Sequence, residues 1–227
     1  MIDNKESVVK LKNVTHIYPM GNSEIKALRD ITMDINDEDY IAVMGHSGSG
    51  KSTLLRTIGA LEIPTQGEVI IEGLNTRNID QEDLVSLRAK AIGFVFQDFR
   101  LLPQLTALEN VMVPLLPYEK YNSAKKKAIE LMERVGLSNR ISHRPQEMSG
   151  GEQQRVAIAR ALIRNPKVLL ADELTGNLDT DTRDSIMELL DELNRQGLAI
   201  VVATHDQEVM AHAKRRIMLR DGAIINP

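Results

Sequence analysis

Eight consecutive residues, Gly45-His46-Ser47-Gly48-Ser49-Gly50-Lys51-Ser52, fit the pattern GxxxxGK[ST] in full. The pattern has a physical basis. Glycines let the backbone curl until successive N–H groups point at one anion. A helix opening near Lys51 adds about half a positive charge at its N-terminus. Lys51 can neutralise the outer phosphates of a nucleotide, Ser52 can ligate Mg²⁺, and the loop as far as Thr53 can hold the phosphates. A second run, Lys167-Val168-Leu169-Leu170-Ala171-Asp172-Glu173, is apolar and ends in two carboxylates. Asp172 is placed to hold Mg²⁺, directly or through water. Glu173, one residue on, must point elsewhere and is positioned to take a proton from an attacking water. An isolated acidic pair at a strand end is commonly just solvated; beside a phosphate loop it reads as a metal carboxylate and a general base. His205 follows another apolar run, in Ala203-Thr204-His205-Asp206. At the C-terminal end of a parallel strand, where open α/β sheets bind ligands, it can donate a hydrogen bond to the γ-phosphate. Ser149-Gly150-Gly151-Glu152 reads two ways. It is a capping box, Ser149 as N-cap and Glu152 three residues on, and its uncrowded glycine helix start is also an anion site.

These residues need a scaffold, and the pattern around them supplies one. Tyr40-Ile41-Ala42-Val43-Met44 is a strand that runs into the glycine-rich loop, while Lys167–Ala171 and Leu198–Ala203 are continuous apolar runs suited to strands buried on both faces. Val8–Val14 and Ile31–Ile35 alternate apolar and polar, and 67–71 is a third short strand, which predicts antiparallel strands beside the main sheet. Helices are expected over Ala107–Leu116, over Ser123–Val135, from Ser149 onward and over Asp179–Gln196, with Gly197 as a stop. Asp221-Gly222 is a hairpin turn signal. The reading is one α/β domain over 1–227, its core formed by 1–97 and 165–227, with a helical lobe, 98–164, inserted.

Composition narrows the options. The 227 residues carry 28 Lys and Arg against 32 Asp and Glu, a formal net charge of −4. That balance argues against gripping nucleic acid by bulk charge, and no nucleic-acid partner is expected. Cysteine is absent, which excludes disulfides, thiol catalysis and cysteine-ligated zinc. No apolar run approaches the roughly 18–20 residues of a membrane-spanning helix. The polar opening, MIDNKES, has no apolar segment of a signal peptide. A cytosolic chain is expected.

In their order, and across nearly all of the chain, these motifs resemble the ATP-binding cassette subunits of ABC transporters. Gln97 in Phe94-Val95-Phe96-Gln97-Asp98 matches the Q-loop, Met148-Ser149-Gly150-Gly151-Glu152-Gln153 the signature, Asn177-Leu178-Asp179 the D-loop and His205 the switch histidine. The resemblance implies an α/β, P-loop NTPase (RecA-like) core with an antiparallel β-subdomain and an inserted α-helical subdomain. It implies an ATPase using ATP and Mg²⁺, with Gln97 joining Ser52 and Asp172 around the metal and Tyr18 stacking on adenine. It further implies a homodimer formed on ATP binding, in which Ser149 and Gly151 of one copy reach the γ-phosphate held by the other. Three positions depart from the commonest pattern. Met148 stands for leucine, Glu152 for glutamine, and Leu174 for the proline that usually follows the base, which leaves loop rigidity and turnover open.

Phe94–Pro103, Leu108–Val111 and Thr175–Asp179 resemble the lipoprotein-release, macrolide-export and peptide-resistance branch, with the division-site ATPase as neighbour. Members of that branch serve an integral membrane permease subunit, so the expected place is peripheral, on the cytoplasmic face of the plasma (inner) membrane. Leu101, Leu102, Pro103 and Val111 are candidates for a groove receiving a membrane-protein helix, and equally candidates for core. The rival reading is a soluble cassette ATPase without transport, of the iron–sulfur assembly or cell-division type. A GTPase or small-molecule kinase would leave the signature unexplained, and no suitably placed NKxD motif occurs.

Overall fold

The structure is a computed structural model that describes residues 7–21, 23–176 and 178–225. In chain order its elements are β1 (Val9–Met20), β2 (Ser23–Ile35), β3 (Tyr40–Met44), α1 (Lys51–Ile58), β4 (Gln66–Ile71), β5 (Leu74–Asn75), α2 (Gln81–Ala91) and β6 (Ile92–Val95). There follow α3 (Ala107–Met112), α4 (Tyr121–Arg134), α5 (Gly150–Leu162), β7 (Val168–Asp172), α6 (Thr180–Arg195), β8 (Ala199–Ala203), α7 (Gln207–His212), β9 (Arg215–Arg220) and β10 (Ala223–Ile225).

Two sheets form. One is antiparallel, in the order β2-β1-β4-β5, and the other runs β10-β9-β3-β8-β7-β6. In the second, β3 is parallel to β8 and β9, β7 to β8, and β6 to β7. Its central strands are buried on both faces. Tyr40 and Ala42 of β3, with Leu169, Ala171, Ile200 and Val202, join the core shared with α3–α7. Ile41 and Val43, with Val168, Leu170, Val201 and Ala203, join the core under α1, α2 and the antiparallel sheet. Successive side chains of a strand point to opposite faces, so an unbroken apolar run feeds two cores at once.

The antiparallel strands run further than the alternation suggests. Val9 and Leu11 are buried, then Val14 and His16. The parity slips by one residue where the pairing with β2 and β4 is irregular and Asn13 takes φ 49°, and such a bulge hides the rest of the strand from a period-two reading. In the helical region the expected helix over 107–116 stops at Met112 and continues as a 3₁₀ turn, Val113–Leu115, containing Pro114, whose missing N–H breaks the α pattern. α2 and β6 were not evident from sequence, since α2 buries only Leu84, Leu87 and Ala91.

Because the β3, β6, β7 and β8 strands are parallel, their C-terminal ends lie along one edge of the sheet. Val43 pairs with Ala203, Asp172 with Ala203 and Val95 with Ala171. That edge therefore carries the loops beginning at Gly45, Phe96, Glu173 and Thr204.

Candidate functional site

The loop after β3 wraps the start of α1. Gly50 is the N-cap of α1 with φ 104°, and a Cβ there would lie 2.4 Å from the Ala27 carbonyl oxygen, so only glycine lets β2 approach the loop this closely. Lys51 is buried, and its Nζ donates to the carbonyl oxygens of Gly45 (2.8 Å) and His46 (3.1 Å). The His46 ring lies 2.7 Å from the Ser47 carbonyl oxygen, and the Ser49 N–H donates to the carbonyl of His46. Ser47, Gly48, Gly50, Lys51, Ser52 and Thr53 line an open cavity of about 780 Å³ that Tyr18, Gln97 and Glu173 also line.

The carboxylates divide as their sequence offset requires. The Ser52 hydroxyl donates to Asp172 Oδ1 at 3.1 Å. Glu173 turns away with φ 48°, its N–H donating to the Ala203 carbonyl at 3.0 Å. A left-handed conformation in a non-glycine residue costs about 1 kcal/mol or more, and the surrounding contacts hold it. Gln97 Nε2 donates to Glu173 Oε2 at 2.9 Å, and His205 Nδ1 lies 3.6 Å from Glu173 Oε1. Leu174, in place of proline, is buried in the core beneath α5 and α6, so packing rather than a fixed φ anchors the loop after the base.

Burial, as the largest cause, pushes the Asp172 carboxyl above the usual range; the neighbouring Glu173 carboxylate adds to this, while Ser52, Arg56 and Lys51 oppose it. A carboxyl whose folded pKa is raised contributes stability at pH below its unfolded value near 4, and that contribution is lost as pH rises through the folded value. At neutral pH the ionised Asp172 therefore strains the nucleotide-free protein. Asp172→Asn is expected to raise Tm at pH 7 without nucleotide or metal by about 2–4 °C, with the gap closing near pH 4. Calorimetry at the two pH values checks this, and a lower Tm for the variant at pH 7 contradicts it.

Tyr18 stands at the same cavity with its hydroxyl donating to Glu62, which also accepts from Arg56 at 3.4 Å, and its ring 4.6 Å from that of His16. Glu62 gave no signal in the sequence. Neither did the part of the cavity wall where the β9–β10 turn closes on the loop. The Gly222 N–H donates to the Ser49 carbonyl at 3.0 Å, and the Arg29 N–H donates to the Gly222 carbonyl at 2.7 Å. Asp221-Gly222 is the predicted turn; its contact with the phosphate loop is long-range and carries no local signature.

Ser149, Gly150, Gly151 and Glu152 sit elsewhere, at the start of α5, and do not line this cavity. The capping box is formed: the Glu152 N–H donates to Ser149 Oγ (3.2 Å) and the Ser149 N–H to Glu152 Oε2 (2.8 Å). Arg140 Nε donates to Glu152 Oε1 at 2.6 Å. The Ser149 N–H, then Arg140, hold the Glu152 carboxyl below its usual range. A Cβ on Gly151 would meet Thr182 Cγ2 at 2.2 Å, so α5 starts against α6 with no room for a side chain, while Ser149 itself is exposed. Met148 is buried, as the leucine it replaces would be. Asp179 caps α6 through Thr182; Asn177 lies outside the described residues.

The four candidates for a helix-receiving groove separate. Val111 is fully buried and belongs to the core, Leu101 packs partly against it, and Leu102 and Pro103 are exposed. A different groove, of about 460 Å³, lies between β6, α2 and the helical lobe, and Phe94, Phe96, Pro114 and Tyr118 line it.

The family described as ABC transporter matches residues 28–176. The chain is 47% identical over 225 residues to an uncharacterised ABC transporter ATP-binding protein, MJ0796, of Methanocaldococcus jannaschii, covering 96% of this chain and 95% of that one. It is 42% identical over 217 residues to the macrolide export ATP-binding/permease protein MacB of Bdellovibrio bacteriovorus, covering 96% of this chain but only 33% of that longer protein. A solved structure of MJ0796, a dimer in a post-hydrolysis state bound to ADP and Pi, superposes with a TM-score of 0.89 at 45% identity, over 96% of this chain and 97% of the other.

Proposed function

The chain belongs to the ABC transporter family and is an ATP-binding cassette that hydrolyses ATP, and on that premise we propose how its residues divide the work and what they drive. The observation that carries the reading is the gathering of the loop at 45–53, Gln97, Asp172, Glu173 and His205 along one strand edge while Ser149 stays outside that cavity. A site whose pieces face two ways is completed by a second copy. The head-to-tail homodimer buries two ATP molecules, each between the phosphate loop of one copy and Ser149–Glu152 of the other, and the dimeric relative supports this.

The adenine stacks on Tyr18. Lys51 exchanges its carbonyl partners for the β- and γ-phosphates, and the N–H groups of the loop point at the same oxygens. Mg²⁺ suits the donors present: Ser52 Oγ and Asp172 Oδ1 are hard oxygens 3.1 Å apart. Among the described residues no cluster of three or more His, Asp or Glu side chains could hold a metal without the nucleotide. Ser52, Asp172 and the Gln97 amide would hold it with phosphate oxygens, and it would neutralise charge developing on the transferred group. Glu173 takes the proton of the attacking water, held in place by the Gln97 amide, and His205 donates to the γ-phosphate. Positioning and fixed charge carry the rate. The core is 1–97 and 165–227 with its β-subdomain, and 98–164 is the helical lobe that brings Ser149 to the partner.

Among the described residues no helix is long and apolar enough to cross a membrane. ATP-driven closure of the dimer is transmitted to a separate integral membrane subunit, which docks from the cytoplasmic face into the groove by Phe94 and Tyr118. Two measurements test this. Removal of Mg²⁺ with EDTA is expected to cut ATP turnover by at least about a hundredfold. Mild detergent extraction of native membranes is expected to recover the chain with one integral membrane protein. An active enzyme recovered only from the soluble fraction would favour the non-transport cassette.

A further inference from the structure

The hydroxyl of Tyr18 is tied to α1 and to the chain that leaves it. It donates to Glu62 Oε2 and lies 3.5 Å from Thr53 Oγ1, in the first turn of α1. Among the described residues it is the one tyrosine hydroxyl that bonds a side chain, whereas that of Tyr40 is buried with no partner. Glu62 is held in turn. After Gly59, the C-cap of α1, the chain turns back through Ala60 (φ 49°), and the N–H groups of Leu61 (2.8 Å) and Glu62 (3.3 Å) both donate to the Arg56 carbonyl. The Glu62 carboxylate then accepts from Arg56 Nη1 on Oε1 at 3.4 Å, which leaves Oε2 for Tyr18. His16, buried two residues back on β1, packs its ring against that of Tyr18, and its Nε2 lies 3.7 Å from Glu62 Oε2.

One helix therefore serves both ends of a nucleotide. The start of α1 carries Lys51 and Ser52, and the chain leaving its other end carries the acceptor for Tyr18. A ring free to change rotamer loses entropy when a base stacks on it. A hydrogen bond to an ionised carboxylate, stronger than a neutral one, removes most of that freedom beforehand. Burial, and then the bond to Glu62, push the Tyr18 hydroxyl above its usual range, so it remains a donor at neutral pH.

From this we propose that Glu62 is a positioning residue for the base: it locks Tyr18 to α1, so that the platform for the base and the loop for the phosphates keep a fixed separation. The proposal rests on the reading that adenine stacks on Tyr18, and it adds what holds the ring ready. The ligand so favoured has an aromatic base on a di- or triphosphate chain, over the bare inorganic phosphate chain.

Calorimetry on the full chain with ADP and with pyrophosphate, both in Mg²⁺, separates base from phosphate without turnover. Glu62→Ala is expected to weaken ADP about tenfold and to leave pyrophosphate within about twofold of the parent. The KM for ATP rises by a similar factor, with kcat within about twofold. Glu62→Gln, whose amide oxygen still accepts from the hydroxyl, restores ADP affinity to within about threefold of the parent. Tyr18→Phe keeps the ring and loses the donor; it should match Glu62→Ala, and the double variant should be no weaker than either single change. Equal losses of ADP and pyrophosphate in Glu62→Ala would place the effect in α1 itself and overturn the proposal. So would single effects that add in the double variant, or a Glu62→Gln variant as weak as Glu62→Ala. Tyr18→Ala separates the two readings. If it weakens ADP and Glu62→Ala does not, stacking on Tyr18 stands and the role of Glu62 falls; if it leaves ADP affinity unchanged, both fall.

Discussion

Glu173→Gln should retain ATP binding and lose turnover by about 10²–10⁴-fold, the range a general base contributes. The amide is nearly the same shape as the carboxylate and still accepts from Gln97 Nε2, which now lies 2.9 Å from Oε2. What it lacks is the ability to take a proton. ATP bound between two copies then persists, and the variant should run as a stable dimer in ATP and a monomer in ADP. Single-turnover phosphate release and light scattering check the two halves separately. Turnover within threefold of the parent would remove Glu173 from the base role, and another acceptor near the water would have to be found.

Ser149→Arg is expected to abolish the ATP dimer and with it at least about 99% of turnover, leaving the affinity of single copies for ATP unchanged. The argument is geometric. Ser149 is exposed at the tip of α5 and contributes nothing to the cavity of its own chain. Replacing it loses an N-cap worth about 1 kcal/mol and sets a long cationic side chain where the facing copy must close. The companion bond from the Ser149 N–H to Glu152 does not depend on the side chain, so the helix start survives. Introduced together with Glu173→Gln, the change should convert a long-lived dimer into a monomer at every ATP concentration tried. A double variant that still dimerises would show that the start of α5 is not the surface shared between copies.

How much of this could be read from the residues depends on the range of the forces involved. The parallel strands are legible because each is buried on both faces, so Tyr40–Met44, Val168–Asp172 and Ala199–Ala203 stand out as apolar runs with chemistry-bearing residues at their ends. The phosphate loop and the capping box at Ser149 are legible because their hydrogen bonds span only three to six residues. The far half of β1 is not, because one inserted residue near Asn13 moves the buried positions to the other parity. Val111 could not be assigned to core or groove from its type alone, and burial decides for core. Glu62, Arg160 and Arg164 were invisible for a different reason. Their partners are far along the chain or are main-chain atoms, and neither leaves a spacing to recognise.

The β9–β10 turn, bonded to Ser49 and Arg29 through Gly222, bears on how the protein is made. A ribosome delivers the glycine-rich motif well before this buttress, since Ser49 and Gly222 are far apart along the chain. In that interval the growing polypeptide owns the phosphate-binding letters without the brace that shapes them, so nucleotide capture should begin only once the β9–β10 hairpin has emerged and docked. Any truncation that removes that hairpin should silence the motif while leaving every residue of it intact.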